Sequence, residues 1–523
     1  MTGSIKTESA REPLALRAAG WRIVGLPQWR RLLWGGVLLA VLLVSRVPLA
    51  PRYLITFDEI NFALSIDHFA PGAHQPQPPG YPLFVGLLKL LAFAIPSVET
   101  VFLAAALLLS MASLVLLWMV GARMWGRSGG LIAALLLLCN PPFWFSALTN
   151  PVRLALSSGA AGTALCLLVA LRRRSGRWCV VATAVLGVAG GFRPTLLVEM
   201  APLLLWTVVS LRLSWKTILA AAGAGTLAVM TWLPPLISAS GGLESFYQML
   251  RSYTVAQTHA TSLLTGALLP AALHMAAEAI IWSCLGVLTW VWALPSALRR
   301  RPHLVRETLG SPFLMLWFLP SLAMSAIFHV GDPDQTLTII PVTCLVGACV
   351  LSAFGGGSSV RSRSMLIGLA LFLNVFLFFK PISKIAKAST YKVVTLQDGY
   401  IRGLVDGARA IQDPGGVTVI FPPDTSGWRN VSYYVPGARL VVADPQTGGV
   451  VNGRSDVVRV PACGVIAVAD ERAVGADASG VSVPASQSGR LLVFRARARA
   501  VVHSRGISFV ADEPCRVRAA PAP

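Results

Sequence analysis

A chain of 523 residues that is 55% hydrophobic and 13% charged, with a mean hydropathy of +0.66, excludes an ordinary soluble domain and points to a polytopic membrane protein. The net charge of +21 would ordinarily suggest nucleic acid as a partner. Here the basic residues sit in short loops between apolar runs, with no basic stripe and interleaved aromatics, so the charge reads as membrane topology and not as a nucleic-acid surface.

Residues 1–31 form a polar N-terminal tail, and the first apolar run, 32–50, follows Arg30-Arg31. The long polar lead argues for a retained span entering from the cytoplasm and against a cleaved signal peptide. Just beyond this run stands the acidic pair Asp58-Glu59. Acids are scarce in this part of the chain: residues 1–384 hold 12 of the 23 Asp and Glu. The first outer loop, 51–99, continues through Phe62, Ile66 and Phe69, spaced as one helix face. It then reaches the proline-rich stretch His74-Gln-Pro-Gln-Pro-Pro-Gly-Tyr-Pro82, whose prolines predict an extended, rigid turn. Residues 83–95 follow, a helix of roughly 20 Å at ~1.5 Å per residue. It is too short to cross comfortably and reads as a juxtamembrane piece.

Further spans are expected near 100–120, 130–148, 155–171, 178–193, 195–211, 217–237, 265–295, 311–328, 336–353 and 364–380, about eleven in all with the first. With 83–95 left out of the count, the basic loops all fall on one side. They are Arg123/Arg127, Arg172-Arg173-Arg174/Arg177, Arg212/Lys216, Arg299-Arg300-Arg301/Arg306 and Arg361/Arg363. That side is cytoplasmic. The opposite, outer loops hold Asp58, Glu59, His74, Arg153, Arg193, His329 and Asp332, and a second amphipathic stretch, Leu243, Phe246, Leu250 and Tyr253. Both amphipathic stretches suit interfacial helices or packed ones. His274 and Glu278, four apart in an apolar run, share a helix face, as a functional pair or as a structural hydrogen bond. Glu199 near an outer helix end is read in the same two ways, and Trp232, Trp282, Trp290 and Trp292 as belt or packing residues. Cys139, Cys166, Cys179, Cys284, Cys344 and Cys349 lie in apolar runs and read as buried thiols, and no metal-type spacing is present.

Past Lys380 the composition turns polar, and residues 385–523 predict a small soluble α/β or mainly β domain. Strands are expected at Val417–Phe421, Leu440–Ala443, Val465–Ala469, Leu491–Phe494 and Ile507–Val510, with a helix over Tyr400–Ile411. An odd number of spans puts this domain outside, on the face of the acidic pair. Cys463 and Cys515 are then a candidate disulfide or two free thiols. Asp424, Trp428 and Tyr433-Tyr434 suit a sugar-contacting surface or ordinary loops.

The outer cluster of acids, Arg and His suits transfer from a lipid-linked phosphate sugar. A carboxylate takes a proton from the acceptor, and cations steady the leaving phosphate. Phe57-Asp58-Glu59 and Gln77-Pro78-Pro79-Gly80-Tyr81-Pro82, supported by Gly190-Gly191-Phe192-Arg193-Pro194 and the Gly331–Pro341 hairpin, resemble the GT-C superfamily of membrane glycosyltransferases. The branch they resemble is that of the protein O-mannosyltransferases and aminoarabinose transferases. The resemblance implies a GT-C-like transmembrane domain over 32–384 and an extracytoplasmic domain over 385–523 in the plasma (inner) membrane. It implies inverting transfer of a hexosyl or pentosyl group from a polyprenyl-phosphate donor to a glycan, lipid or protein acceptor. Asp58 is then the expected base, with Glu59 in reserve, and His74, Arg153, Arg193, His329 and Asp332 are expected to bind the donor phosphate. Members often carry a second acid where this chain has Thr149-Asn150-Pro151-Val152-Arg153. No metal ligand set is assigned, a divalent cation is left open, and an inactive member is not set aside. The rival readings are a transporter or flippase of a lipid-linked or polar solute, and a non-catalytic assembly partner with the same fold.

Overall fold

The computed structural model describes residues 28–258, 290–327, 333–354, 360–380 and 389–411, together with Ala277. In the C-terminal region it describes 417–421, 426–442, 457–461, 465–469, 486–488, 490–495, 500–504 and 507–513. The chain divides into two units. One comprises residues 1–50 and 65–393, the other Pro51–Leu64 with Val394–Pro523.

The larger unit is a bundle of apolar helices. Among the described residues, five stretches are long and apolar enough to cross a membrane, Val98–Cys139, Pro151–Arg173, Trp215–Ala239, Thr336–Phe354 and Arg361–Phe379. Shorter apolar helices occupy Leu33–Leu49, Pro82–Ala92, Gly176–Phe192, Thr195–Ser210 and Pro312–Met324. The protein is an integral membrane protein. Every expected run except 265–295, which lies mostly outside the described residues, is largely helical, with 130–148 and 217–237 each divided between two helices.

In chain order the helices are α1 (Gln28–Arg46), α2 (Phe57–Asp67), α3 (Pro82–Ala92), α4 (Val98–Cys139), α5 (Pro141–Thr149), α6 (Leu154–Arg173), α7 (Gly176–Phe192), α8 (Thr195–Ser210), α9 (Trp215–Met230), α10 (Leu233–Ala239) and α11 (Leu243–Thr258). Then come α12 (Leu294–Arg300), α13 (Pro302–Leu309), α14 (Pro312–Ile327), α15 (Ile340–Phe354) and α16 (Val360–Phe379). The stretch at 83–95 is the short helix α3, begun by Pro82 at its first turn. Both amphipathic stretches are helical, as α2 and α11. In α2, Phe62 is fully buried and packs.

Two expected spans are built differently. The loop at Arg123/Arg127 shrinks to a break inside α4 at Trp125 and Gly126, where Gly126 takes φ +78°. A Cβ on Gly121 would lie 2.8 Å from the Cα of Gly130, so the two halves of α4 fold back on each other at glycine distance. The run at 130–148 is not one helix either. Asn140 ends α4, and its side chain accepts from the Phe143 N–H at 3.2 Å, capping α5 with Pro141 at its first position. Around this corner α6 packs on α4 and α7, α7 on α9, and α15 on α4.

The second unit begins its C-terminal part with α17 (Tyr391–Ala410). It continues through β1 (Val417–Phe421), α18 (Trp428–Tyr434), β2 (Arg439–Val442), β3 (Val457–Pro461), β4 (Val465–Val468), β5 (Ser486–Ser488), β6 (Leu491–Arg495), β7 (Ala500–Ser504) and β8 (Ile507–Glu513). One sheet runs β2-β1-β4-β6-β5 and the other β3-β8-β7. In the first, β1 is parallel to both β2 and β4, while β6 is antiparallel to β4 and β5. β1 is buried along its whole length, as befits a central parallel strand. The domain is thus α/β, and the expected strands fall on β1, β2, β4, β6 and β8. The expected helix is longer at its start, reaching back to Tyr391. Cys463, Cys515 and Asp424 lie outside the described residues.

Candidate active site

The acidic pair opens α2, and its two members are held differently. The Thr56 hydroxyl accepts the Glu59 N–H at 3.1 Å. In return one carboxyl oxygen of Glu59 accepts from the N–H of Ile55, the N–H of Thr56 and the Thr56 hydroxyl, each at 3.0 Å. This is a reciprocal capping box over Thr56-Phe57-Asp58-Glu59, which satisfies backbone donors that a helix start leaves open. Glu59 is buried, and burial pushes its carboxyl up to about 8 against the pull of those hydrogen bonds. Asp58 is half-buried in the same first turn, where the helix dipole favours a carboxylate. The cap therefore takes up Glu59, and Asp58 stands one residue before it on the same first turn.

A second constellation forms in the membrane unit at the corner between α7 and α8. The Pro-rich stretch is not extended. It makes a short 3-10 turn at Pro71–Ala73, a bridge between Ala70 and Gln75, and left-handed backbone at His74, Gly80 and Tyr81 before α3. This compact turn delivers Tyr81 to the face of Arg193, whose guanidinium carbon lies 5.1 Å from the ring centroid. Leu83, two residues on, meets Gly191, where a Cβ would fall 2.6 Å from the Leu83 side chain and 2.8 Å from that of Trp232. Trp232 is fixed by its own indole N–H, which donates to the Gly187 carbonyl at 2.9 Å, so it is a packing residue. Two of the stretches behind the family resemblance, Gln77–Pro82 and Gly190–Pro194, thus meet in space. Arg193 is itself buried, in extended backbone ahead of Pro194. The buried carboxyl of Glu199 faces the hydroxyls of Thr338, Thr195 and Ser321 and the charge of Arg193.

The remaining expected site residues are placed as follows. His74 is exposed, its ring 6.1 Å from that of Tyr253 on α11. Arg153 is half-buried at the end of a 3-10 turn, Pro151–Arg153, leading into α6. His329, Asp332, His274 and Glu278 lie outside the described residues. Asp58 and Glu59 belong to the C-terminal unit, and His74, Arg153 and Arg193 to the membrane unit. Among the described residues no group of three His, Cys, Asp or Glu could hold a metal ion.

Residues 76–237 match the model of the dolichyl-phosphate-mannose-protein mannosyltransferase family. Among solved structures, ArnT from Cupriavidus metallidurans bound to undecaprenyl phosphate superposes with a TM-score of 0.58 at 13% identity, covering 90% of this chain and 98% of that one. Its apo state gives a TM-score of 0.57 at 14% identity, covering 89% and 97%. The chain shares the fold of these structures, the fold that its resemblance to the GT-C superfamily implies. No curated protein matches it by sequence.

Within this GT-C fold, three contributors escaped the sequence reading. Thr56 is one, and the Ser/Thr-x-x-Glu spacing that marks a capping box was there to find it. Tyr81 has no role of its own in the proline-rich motif as the sequence presents it, and emerges as the ring facing Arg193. Arg46, at the end of α1, is the third. It is fully buried, donates to the Leu138 carbonyl at 2.6 Å and to Ser45 at 2.9 Å, and stacks 4.1 Å from the Trp144 ring centroid. It serves the carboxyl end of α4, where a cation complements the helix dipole.

Proposed function

We propose that this protein is an inverting glycosyltransferase that moves a sugar from a polyprenyl-phosphate donor to an acceptor hydroxyl on the outer face of the plasma membrane. In this reading the N-terminus is cytoplasmic and the C-terminal domain extracytoplasmic, as the one-sided basic loops support. Asp58 is the general base. It takes the proton of the acceptor hydroxyl as that oxygen bonds to the anomeric carbon. The bond from that carbon to the phosphate oxygen breaks, and the lipid phosphate leaves with the electron pair. Arg193 and Arg153 bind the phosphate in the ground state and as its charge grows. Arg193 favours this role as a buried guanidinium set between the Tyr81 ring and the Glu199 carboxyl.

The observation that carries the reading is the division of the acidic pair. Glu59 is committed to the cap, and Asp58 sits beside it in a chain of GT-C fold. The test is transfer from a radiolabelled polyprenyl-phosphate sugar in proteoliposomes. Asp58→Asn keeps the shape of the first turn and should lower kcat by about 10²–10⁴-fold, the usual worth of a positioned base. Glu59→Gln should retain most activity. Full transfer by Asp58→Asn would remove the base assignment. Solute counterflow without sugar transfer by the unaltered protein would replace the enzyme with a transporter.

A further inference from the structure

The segment just before Asp58 has no strand or helix to satisfy it, yet it is buried. Leu54 is 3% exposed. Its N–H donates to the Tyr434 hydroxyl at 2.9 Å, and its carbonyl accepts from the Asn430 side-chain amide at 2.7 Å. Buried backbone groups must be paired, and here both partners are side chains of one short helix, α18. Next to it, the Tyr53 hydroxyl donates to Asp406 at 2.6 Å and accepts from Arg409 at 2.9 Å, both on α17. Arg409 also donates to the Tyr434 carbonyl at 3.1 Å, joining α17, α18 and the segment in one network. The Arg52 N–H donates to Asp398 at 3.1 Å. On the far side of the cap, the Phe57 ring meets Trp428 edge-on at 5.9 Å, under the Arg429 guanidinium.

We propose that the C-terminal domain is a positioning part of the transfer apparatus, with Asn430 and Tyr434 gripping the Leu54 backbone to set the direction of Asp58. The proposal rests on Asp58 as the base. The route is short and stiff. The grip fixes residue 54, the N–H groups of Ile55 and Thr56 are bonded to Glu59, and the capping box then sets the first turn that bears Asp58. Each link is a hydrogen bond to a buried or half-buried group, so play at residue 54 passes directly to residue 58. The exposed Arg52–Asp406 pair at 3.5 Å adds little to stability. The specific element is the pair of bonds to the Leu54 backbone.

The experiment uses the full chain in nanodiscs, with Tyr434→Phe, Asn430→Ala and Asn430→Gln. Tyr434→Phe removes one hydroxyl and keeps the ring packed on Tyr53 at 4.7 Å. Hydrogen exchange should quicken in the peptide covering 51–58 and stay unchanged in β1. With the polyprenyl-phosphate sugar as donor, kcat should fall about ten- to a hundredfold at constant donor KM, as misplacement of a reacting group predicts. Asn430→Gln, which keeps an amide donor, should recover part of the loss. Unchanged exchange at 51–58 would overturn the grip, and faster exchange with unchanged kcat would overturn its positioning role. An active Asp58→Asn would instead strike the base assignment, a failure that the exchange data, which need no turnover, keep separate.

Discussion

The heads of α2 and α8 both carry charge beside a helix start, and they satisfy it by opposite means. At α2 the buried charge itself is satisfied locally. Glu59 is held by Ile55 and Thr56, three and four residues away. At α8 the local part is one hydroxyl, that of Thr195, and the rest is distant. Arg193 lies against Tyr81 from the Pro-rich turn, and Glu199 faces hydroxyls from the α14 and 333–338 segments. A locally built head can be carried on whichever body its helix joins, and α2 begins in the C-terminal unit. A head built from distant parts exists only when the membrane bundle has assembled.

The strongest break in this comparison is at the assembled head. Arg193→Ala should raise the donor KM at least about tenfold, because a charge-assisted bond to phosphate is lost. It should also lower thermal stability, because the buried Glu199 loses its neighbouring cation. Pairing it with Glu199→Gln should restore stability and leave donor binding weak. If the double variant binds donor normally, Arg193 is only the structural partner of Glu199. At the α2 head no comparable second-site rescue is expected.

A smaller effect separates the assembled head from its surroundings. Gly191→Val drives side-chain atoms into Leu83 and Trp232 and should cost about 1–3 kcal/mol, the usual range for overpacking. Gly86→Ala on α3, where the added methyl meets nothing within 4 Å, is the control and should not destabilise. Thermal unfolding of both in one detergent checks this. Equal melting shifts would mean that the motifs do not press together at Gly191.

The same contrast explains what the sequence made legible. Five strands of the C-terminal domain, β1, β2, β4, β6 and β8, could be read because each is a short apolar run between turn residues, and β1 was bounded to the residue, whereas β5, Ser486–Ser488, has no apolar run to mark it. The helices could be read from apolar length. The breaks at Gly126 and Asn140 carried local signals, a glycine and an Asn-Pro pair, which a hydropathy window averages away. The capping box was equally local. What no local pattern reports is that residues 51–64 fold with the C-terminal domain. The bond from Asn430 to Leu54 spans 376 residues, and that from Tyr434 to the same residue 380. Such pairing depends on which surfaces meet after the membrane helices are placed. The meeting of Tyr81 with Arg193 is hidden for the same reason, since the two motifs lie more than a hundred residues apart in the chain.

The smallest expected effect tests the local head by pH. Burial raises the Glu59 carboxyl from 4.5 to about 8, so between those values the folded protein keeps a proton that the unfolded chain has released. The stability this contributes is complete below pH 4.5 and is lost as pH rises through about 8. Unaltered protein should therefore show quickening exchange at 55–60 from pH 6 to 9, beyond the intrinsic rate increase. Glu59→Gln, with no proton to lose, should follow the intrinsic rate alone. Thr56→Ala, which removes both hydroxyl bonds of the box, should cost about 1 kcal/mol at any pH in that range. Asp58 is the last and weakest contributor to the rise at Glu59, by like charge. Asp58→Asn should thus move the Glu59 midpoint slightly downward, reporting the charge on Asp58 independently of any turnover. A midpoint unmoved by Asp58→Asn would mean that the two carboxyls do not interact, and that the cap gives no reading of the base beside it.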